Sequence, residues 1–329
     1  MLIAGTSLSC KKVLMDENPA NNARENFEIL WQTVNDKYTF FELKNINWDS
    51  VYHHYDTQVY NGMSEQELFT VLDSMLFDLR DGHVNLTAPF NMSRNWQWYL
   101  NYPDNFSYEL LERKYLTNAH KIAGGLQYTI IDSVGYIYHA SFSRGFTLEN
   151  LDAVMTYMKG TKGLIVDVRN NGGGYLNNAF ALAQRLVTEE KLAMVTFEKA
   201  GAEKDNMGNG LGYSLGPSDG VNYKGEVAIL TNRRCYSATN TFAALLFPFD
   251  NITQIGDQTG GGGGIPIDNE LPNGWQYRFS ATISLLAVDD TTFYNMESGI
   301  PPQILEQTTP ANIANGKDPI LERALSRFQ

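Results

Sequence analysis

From Ala23 onward the apolar positions fall into a helical rhythm. Phe27, Leu30, Trp31, Val34, Tyr38 and Phe41 recur at steps of three and four, one stripe that predicts an amphipathic helix running on to Phe41. A second helix is expected to start with Asp49 as its N-cap and to run through Tyr60. The third has the clearest start signal in the chain. Ser64 and Glu67 form a capping box, Met63 is placed to staple onto Leu68, and Leu68, Val71, Leu72, Met75 and Leu79 make its buried stripe. Residues 23–86 therefore read as a small helical unit that closes on Leu79-Arg-Asp-Gly-His83.

Residues 87–125 break into short alternating runs with Asn, Pro and Trp and predict an irregular connecting segment. After residue 126 the rhythm changes again. Gly135-Tyr-Ile-Tyr-His-Ala140 reads as a strand, residues 148–159 as a helix, and Leu164-Ile-Val-Asp-Val168 as a buried strand flowing through glycines into a helix over 175–187. Residues 201–222 carry Gly, Asn and Ser without periodicity and are expected to be a loop. Val227-Ala-Ile-Leu-Thr231 is a further buried strand, followed by a helix over 238–247. Strands alternating with helices predict an α/β core over 126–329, and no repeat of 20–50 residues competes with that reading.

Composition narrows the function classes. At 329 residues the chain is long enough for about two domains or one large core, with no need of disulfide staples. A formal net charge of −12, from 25 Lys+Arg against 37 Asp+Glu, argues against nucleic acid as a partner. The two cysteines offer no metal-ligand spacing, and the adjacent His53 and His54 would point apart on a helix, so no metal is implied. Cys235 lies in an apolar stretch and reads as a buried thiol. Cys10 follows small residues and precedes a polar, Asn-rich tether, so that residues 1–22 resemble the end of a bacterial lipoprotein signal. That makes Cys10 the expected lipidation site, the only membrane contact foreseen, and the bacterial envelope (periplasm or outer membrane) the expected location.

Several motifs point to chemistry that the surrounding sequence does not support. Thr259-Gly-Gly-Gly-Gly-Gly264 lacks the Lys-Ser/Thr of a phosphate loop and any acidic ribose partner. Gly212-Tyr-Ser-Leu-Gly216 has the G-x-S-x-G spelling of a nucleophile elbow, but no strand–turn–helix surrounds it and no histidine follows His139. Ser237 is better placed. It stands between the 227–231 strand and the next helix, where free backbone N–H groups and the helix dipole would favour a developing negative charge. The amide of Ala238 is then a candidate oxyanion donor. The glycines of Asn170-Asn-Gly-Gly-Gly174, Gly173 above all, offer a second. A serine at a helix start is also a common cap, so this position alone does not decide.

Lys162-Gly-Leu-Ile-Val-Asp-Val-Arg-Asn-Asn-Gly-Gly-Gly174 resembles the hallmark strand and loop of the tail-specific, or C-terminal processing, serine proteases and their tricorn-core relatives. Cys235-Tyr-Ser-Ala-Thr-Asn240 is similar to their nucleophile segment. Gly256-Asp-Gln-Thr-Gly260, Glu297-Ser-Gly-Ile-Pro-Pro302, Lys317-Asp-Pro-Ile-Leu-Glu-Arg-Ala324 and Leu79-Arg-Asp-Gly-His83 follow the family order. The resemblance implies a crotonase/ClpP-like α/β core behind the N-terminal helical unit; the stretch between His83 and the 135–140 strand is too short for a full PDZ insert.

Many members use a Ser–Lys dyad, but Gly262 stands at the place of that lysine, and no lysine occurs between Lys224 and Lys317. The tricorn-like branch implies instead Ser237 as nucleophile, His83 as general base and Glu297 as the acid that orients it; Asp289, Asp290 and a neighbour not visible in the sequence remain open as acids. Arg169 and Asp167 read as structural residues that order the oxyanion loop. The expected activity is a serine endopeptidase or carboxy-terminal processing peptidase acting on polypeptides without a cofactor. Its acid limb is expected near the ordinary histidine pKa of about 6.5. The alternative is a non-catalytic protein that binds peptides or apolar ligands on the same fold.

Overall fold

A computed structural model describes residues 20–199, 207–289 and 291–329, so Cys10 and all but the last three residues of its tether lie outside the described residues. Three helices open the chain: Ala23–Lys37, Trp48–Asp56 and Glu65–Phe77. The first stops before Phe41, because Tyr38 leaves helical geometry (φ −70°, ψ 134°). Tyr38, Phe40 and Phe41 are nevertheless buried, so the apolar stripe outlasts the helix. The second begins two residues earlier than expected, capped by the Asn47 side chain in place of Asp49, and ends at Asp56. At the third, the capping box of Ser64 and Glu67 forms in full.

The central sheet has seven strands. In spatial order they are Ile304–Leu305, Ile252–Gly256, Val227–Thr231, Leu164–Asp167, Val134–His139, Leu126–Ile131 and Lys121–Ala123. The first five are parallel and the last two antiparallel. Side chains alternate between two cores, as the period of a strand requires. Leu164, Val166, Val227 and Ile229 pack under the helices Leu148–Met158, Leu176–Gln184 and Ala238–Leu246. Ile165, Ala228 and Leu230 face the terminal helix Pro319–Arg327. Arg169 ties that helix to the sheet: its buried guanidinium holds Asp167 at 2.6 Å and the helix N-cap Asp318 at 2.8 Å.

Two smaller four-stranded sheets depart from the expected plan. Leu211–Leu215, expected as loop, is an edge strand paired with Lys191–Glu198, and Ser214 of the G-x-S-x-G spelling lies exposed on it. Its register is fixed by partners distant in sequence, which local periodicity cannot report. The hairpin of Pro266–Glu270 and Gln276–Ser280 pairs with Asn85–Ala88, far from it in sequence. Leu271, Trp275, Tyr277 and Phe279 of this hairpin fill the core of the N-terminal helices. The span 126–329 is therefore not one contiguous core: a piece of it crosses back to complete the helical unit. That crossing carries Ser280 to the site described next. Among the described residues, no helix is long and apolar enough to cross a membrane.

Candidate active site

Ser237 sits at the N-terminus of the helix Ala238–Leu246 with φ 56° and ψ −121°. A β-carbon in this backbone region is strained, and such conformations persist only where the surroundings enforce them. Here the Ser237 amide donates to Gly261 O at 3.0 Å, while Tyr236 N donates to Asn171 O at 3.2 Å. The result is a sharp strand-to-helix turn that pushes the hydroxyl outward. Ser237 Oγ lies 2.9 Å from His83 Nε2, although the two residues are 154 positions apart.

His83 leaves the helical unit through Arg80, whose positive φ of 49° turns the chain. Its amide donates to Asp81 Oδ1 at 2.8 Å, which fixes the backbone on which the ring is mounted. The ring's Nδ1 faces Ser280 Oγ at 3.4 Å, a long hydrogen bond. A neutral imidazole protonated on Nδ1 satisfies both contacts, donating to Ser280 and accepting from Ser237. Burial pushes the His83 pKa down to about 4; Asp81 opposes the fall, and the Arg278 and Lys44 charges add to it. Asp81 is itself held below the usual carboxylate range. Burial raises it, but Lys44, His83, the His83 amide and the Ser280 hydroxyl outweigh that effect.

The structure places Glu297 elsewhere than expected. Its carboxylate accepts from Lys44 Nζ at 2.7 Å and from the Gly263 amide at 2.9 Å, and no hydrogen bond joins it to His83. The group that meets Nδ1 is Ser280, with Asp81 behind it. Asp289 accepts from the Thr291 and Thr292 amides, and Asp290 lies outside the described residues. Lys44, Ser280 and Asp81 were not singled out from the sequence. Asp81 had a local signal in its Asp-Gly-His spacing, whereas Lys44 and Ser280 reach the site only through tertiary folding.

Lys44 also donates to Arg80 O at 2.8 Å, so one partly buried cation spans the acid cluster and the turn before His83. Burial raises the Glu297 pKa, and Asp81 adds to the rise against the pull of Lys44 and the Gly263 amide. Removing the cation strands two buried carboxylates. Lys44→Met is therefore expected to lose about 3–5 kcal/mol of stability at pH 8. The loss should shrink toward pH 5, where Glu297 takes up a proton and no longer needs a counter-charge. Urea denaturation at the two pH values measures both; equal stability to the native protein would show that the pair contributes nothing.

The expected oxyanion donors divide. The Ala238 N–H makes no hydrogen bond among the described residues and stands beside the nucleophile at the start of the helix. The Gly173 N–H is already given to Asn171 Oδ1 at 2.9 Å, which corrects its expected role as a free donor. Its absence of a side chain matters instead. Gly173 has φ 101°, and a Cβ there would lie 2.7 Å from Tyr236 O, 2.9 Å from Ser237 Cβ and 3.0 Å from Ala238 N.

Ser237 and His83 open into a cleft of about 790 Å³, walled by Tyr99, Tyr175, Met194 and Ile265 among others. Tyr99 stacks on Tyr236 at 4.0 Å and so covers one side of the nucleophile's turn.

Residues 133–305, more than half of the chain, match peptidase family S41, and residues 19–77 match the tricorn protease C1 domain. The chain belongs to peptidase family S41. A crystal structure from Parabacteroides merdae ATCC 43184 shares 40% identity, with 94% of this chain and 97% of that chain covered at a TM-score of 0.87. Among curated proteins, the carboxy-terminal processing protease CtpA of Bacillus subtilis strain 168 is 26% identical over 174 residues, 53% of this chain. The matched stretch spans only 35% of that protein's length. Mature CPAF complexed with lactacystin shares the fold at a TM-score of 0.67, with 11% identity over 93% of this chain and 97% of that one.

Within this S41 chain, the glycine at the place of a dyad lysine has a steric reason. Gly262 has φ 77°, and a Cβ there would stand 2.7 Å from the Tyr236 ring and 2.9 Å from Ser237 N. The Tyr236 ring and the Ser237 backbone fill the space that a lysine side chain would have to leave from.

Proposed function

We propose that this chain hydrolyses polypeptides through an acyl-enzyme on Ser237, with His83 as general base. The 2.9 Å contact between Ser237 Oγ and His83 Nε2 carries this reading. A serine hydroxyl becomes a competent nucleophile when a neutral imidazole takes its proton during attack. Oγ then bonds to the scissile carbonyl carbon, and the carbonyl oxygen gains a negative charge that the Ala238 N–H meets. His83 returns the proton to the leaving amine, and a water activated by the same ring releases the acyl group. Ser280 orients the imidazole, and the ionised Asp81 behind it steadies the imidazolium. Glu297 has a supporting part in this scheme, as the partner of Lys44.

Carboxy-terminal processing, the activity named for CtpA, is the form of proteolysis we propose. The envelope location and the lipid at Cys10 are proposals that rest on the sequence.

The test is digestion of unstructured polypeptides of varied sequence, with the products mapped by mass spectrometry. Discrete products from the native protein and none from Ser237→Ala support the reading. Binding without any hydrolysis would leave a non-catalytic receptor on the same fold.

Acidity gives a second check. Because burial holds His83 near a pKa of about 4, kcat/KM is expected to rise with pH through that value and to be flat from pH 6 to 8. An acid limb at pH 6.5, which an ordinary histidine would give, would mean that the ring is solvated in the working enzyme.

A further inference from the structure

Among the described residues, the cleft wall holds one permanent charge, and it is positive. Arg278 lies on the strand Gln276–Ser280, where Tyr277 and Phe279 point into the core of the helical unit. Strand alternation therefore turns Arg278 and Ser280 to the opposite face, the one that touches His83. The neighbouring strand residue Asn85, paired with Arg278, lines the same cleft. No aspartate or glutamate among the described residues joins them in the wall, in a chain whose net charge is −12.

The Arg278 guanidinium is underused. Its Nε is buried and makes no hydrogen bond among the described residues. Its ion-pair partner, Asp268, stands 3.4 Å from that same Nε, beyond good hydrogen-bond geometry, and has a side chain 76% exposed. An ion pair of that kind is worth little in water and is readily exchanged for a better-placed carboxylate. A guanidinium presents a planar fork of donors that matches a carboxylate at two points, and it keeps its charge at every working pH.

We propose that Arg278 is a specificity-determining residue that receives a carboxylate of the substrate within about two residues of the scissile bond. Arg278 lies two strand positions from Ser280, roughly 7 Å, which is the span of two residues along an extended peptide. The carboxylate has two chemical sources, an acidic side chain or the terminal α-carboxylate of a chain being trimmed. The proposal rests on the peptidase reading for its substrate class, and binding separates the two claims.

Ser237→Ala keeps the cleft and removes only the hydroxyl. It is titrated, at fixed ionic strength, with a neutral eight-residue peptide and with variants that place Glu or Gln at each position, each with a free or amidated terminus. At least one carboxylate peptide is expected to bind about 10- to 100-fold more tightly than its neutral twin. That preference should vanish in Ser237→Ala/Arg278→Gln and survive in part in Ser237→Ala/Arg278→Lys. A preference confined to the Glu/Gln pairs identifies a side chain, and one confined to the terminal pairs identifies the α-carboxylate. Equal binding of charged and neutral twins, a preference that persists without Arg278, or no binding at millimolar peptide would each overturn the proposal. Failure of the native protein to cleave any of these peptides counts against the peptidase reading alone.

Discussion

His83→Ala is expected to lower kcat on a cleaved peptide by about 10⁴–10⁶, as much as Ser237→Ala does. The two side chains meet at 2.9 Å and no other imidazole among the described residues reaches the serine, so each is useless without the other. The double variant should therefore be little slower than either single one. Additive losses would mean that the two groups act in separate steps. Retention of most activity by His83→Ala, with loss in Ser237→Ala, would mean that another base takes the proton. Lys44 is poorly placed for that part, since its Nζ is held by Glu297 and Arg80 O.

Gly173→Val should be nearly as damaging for a different reason. The three nearest atoms that a Cβ at this position would meet belong to the nucleophile's own turn, at 2.7–3.0 Å. Real side chains essentially never pack this closely, and the φ of 101° disfavours a β-branched residue as well. Tyr236, Ser237 and the Ala238 amide must shift. Losing one oxyanion donor costs about 10²–10³ in kcat, and a displaced nucleophile adds to that. Overpacking of this kind costs about 1–3 kcal/mol of stability, so the variant should fold while turnover falls by 10³ or more. Steady-state kinetics beside thermal melting measure the two effects. Native kcat in Gly173→Val would show that the glycine loop does not shape the site.

Much of the fold was legible because its signals are local. The capping box at Ser64, the buried runs at 164–168 and 227–231 and the serine at a strand-to-helix turn each need only a few neighbouring residues. The site was legible where chemistry and order coincide. Ser237 and His83 were singled out from their segments, and the structure brings them into contact. Glu297 was placed close to the right region, but its partner was misjudged. Sequence order says that a carboxylate arrives near the serine; it does not say which of two groups, Lys44 or His83, that carboxylate will meet.

The rest was illegible for a related reason. Ser280 lies 197 positions from His83 and reaches it only because the 266–280 hairpin completes the core of the helical unit. Nothing in the alternation of Tyr277, Arg278, Phe279 and Ser280 reveals which face will be core and which will be cleft. Gly173 shows the same limit at a smaller scale. A glycine-rich loop suggests free amides, yet here a buried Asn171 side chain takes the Gly173 N–H and pins the loop.

The most direct test of a Ser237 nucleophile activated by His83 is covalent labelling by a fluorophosphonate, read by intact mass and peptide mapping. The native protein should carry a single adduct on Ser237, formed far more slowly in His83→Ala and not at all in Ser237→Ala. An adduct on another serine such as the exposed Ser214, no adduct at all, or a labelling rate untouched by His83→Ala would contradict it.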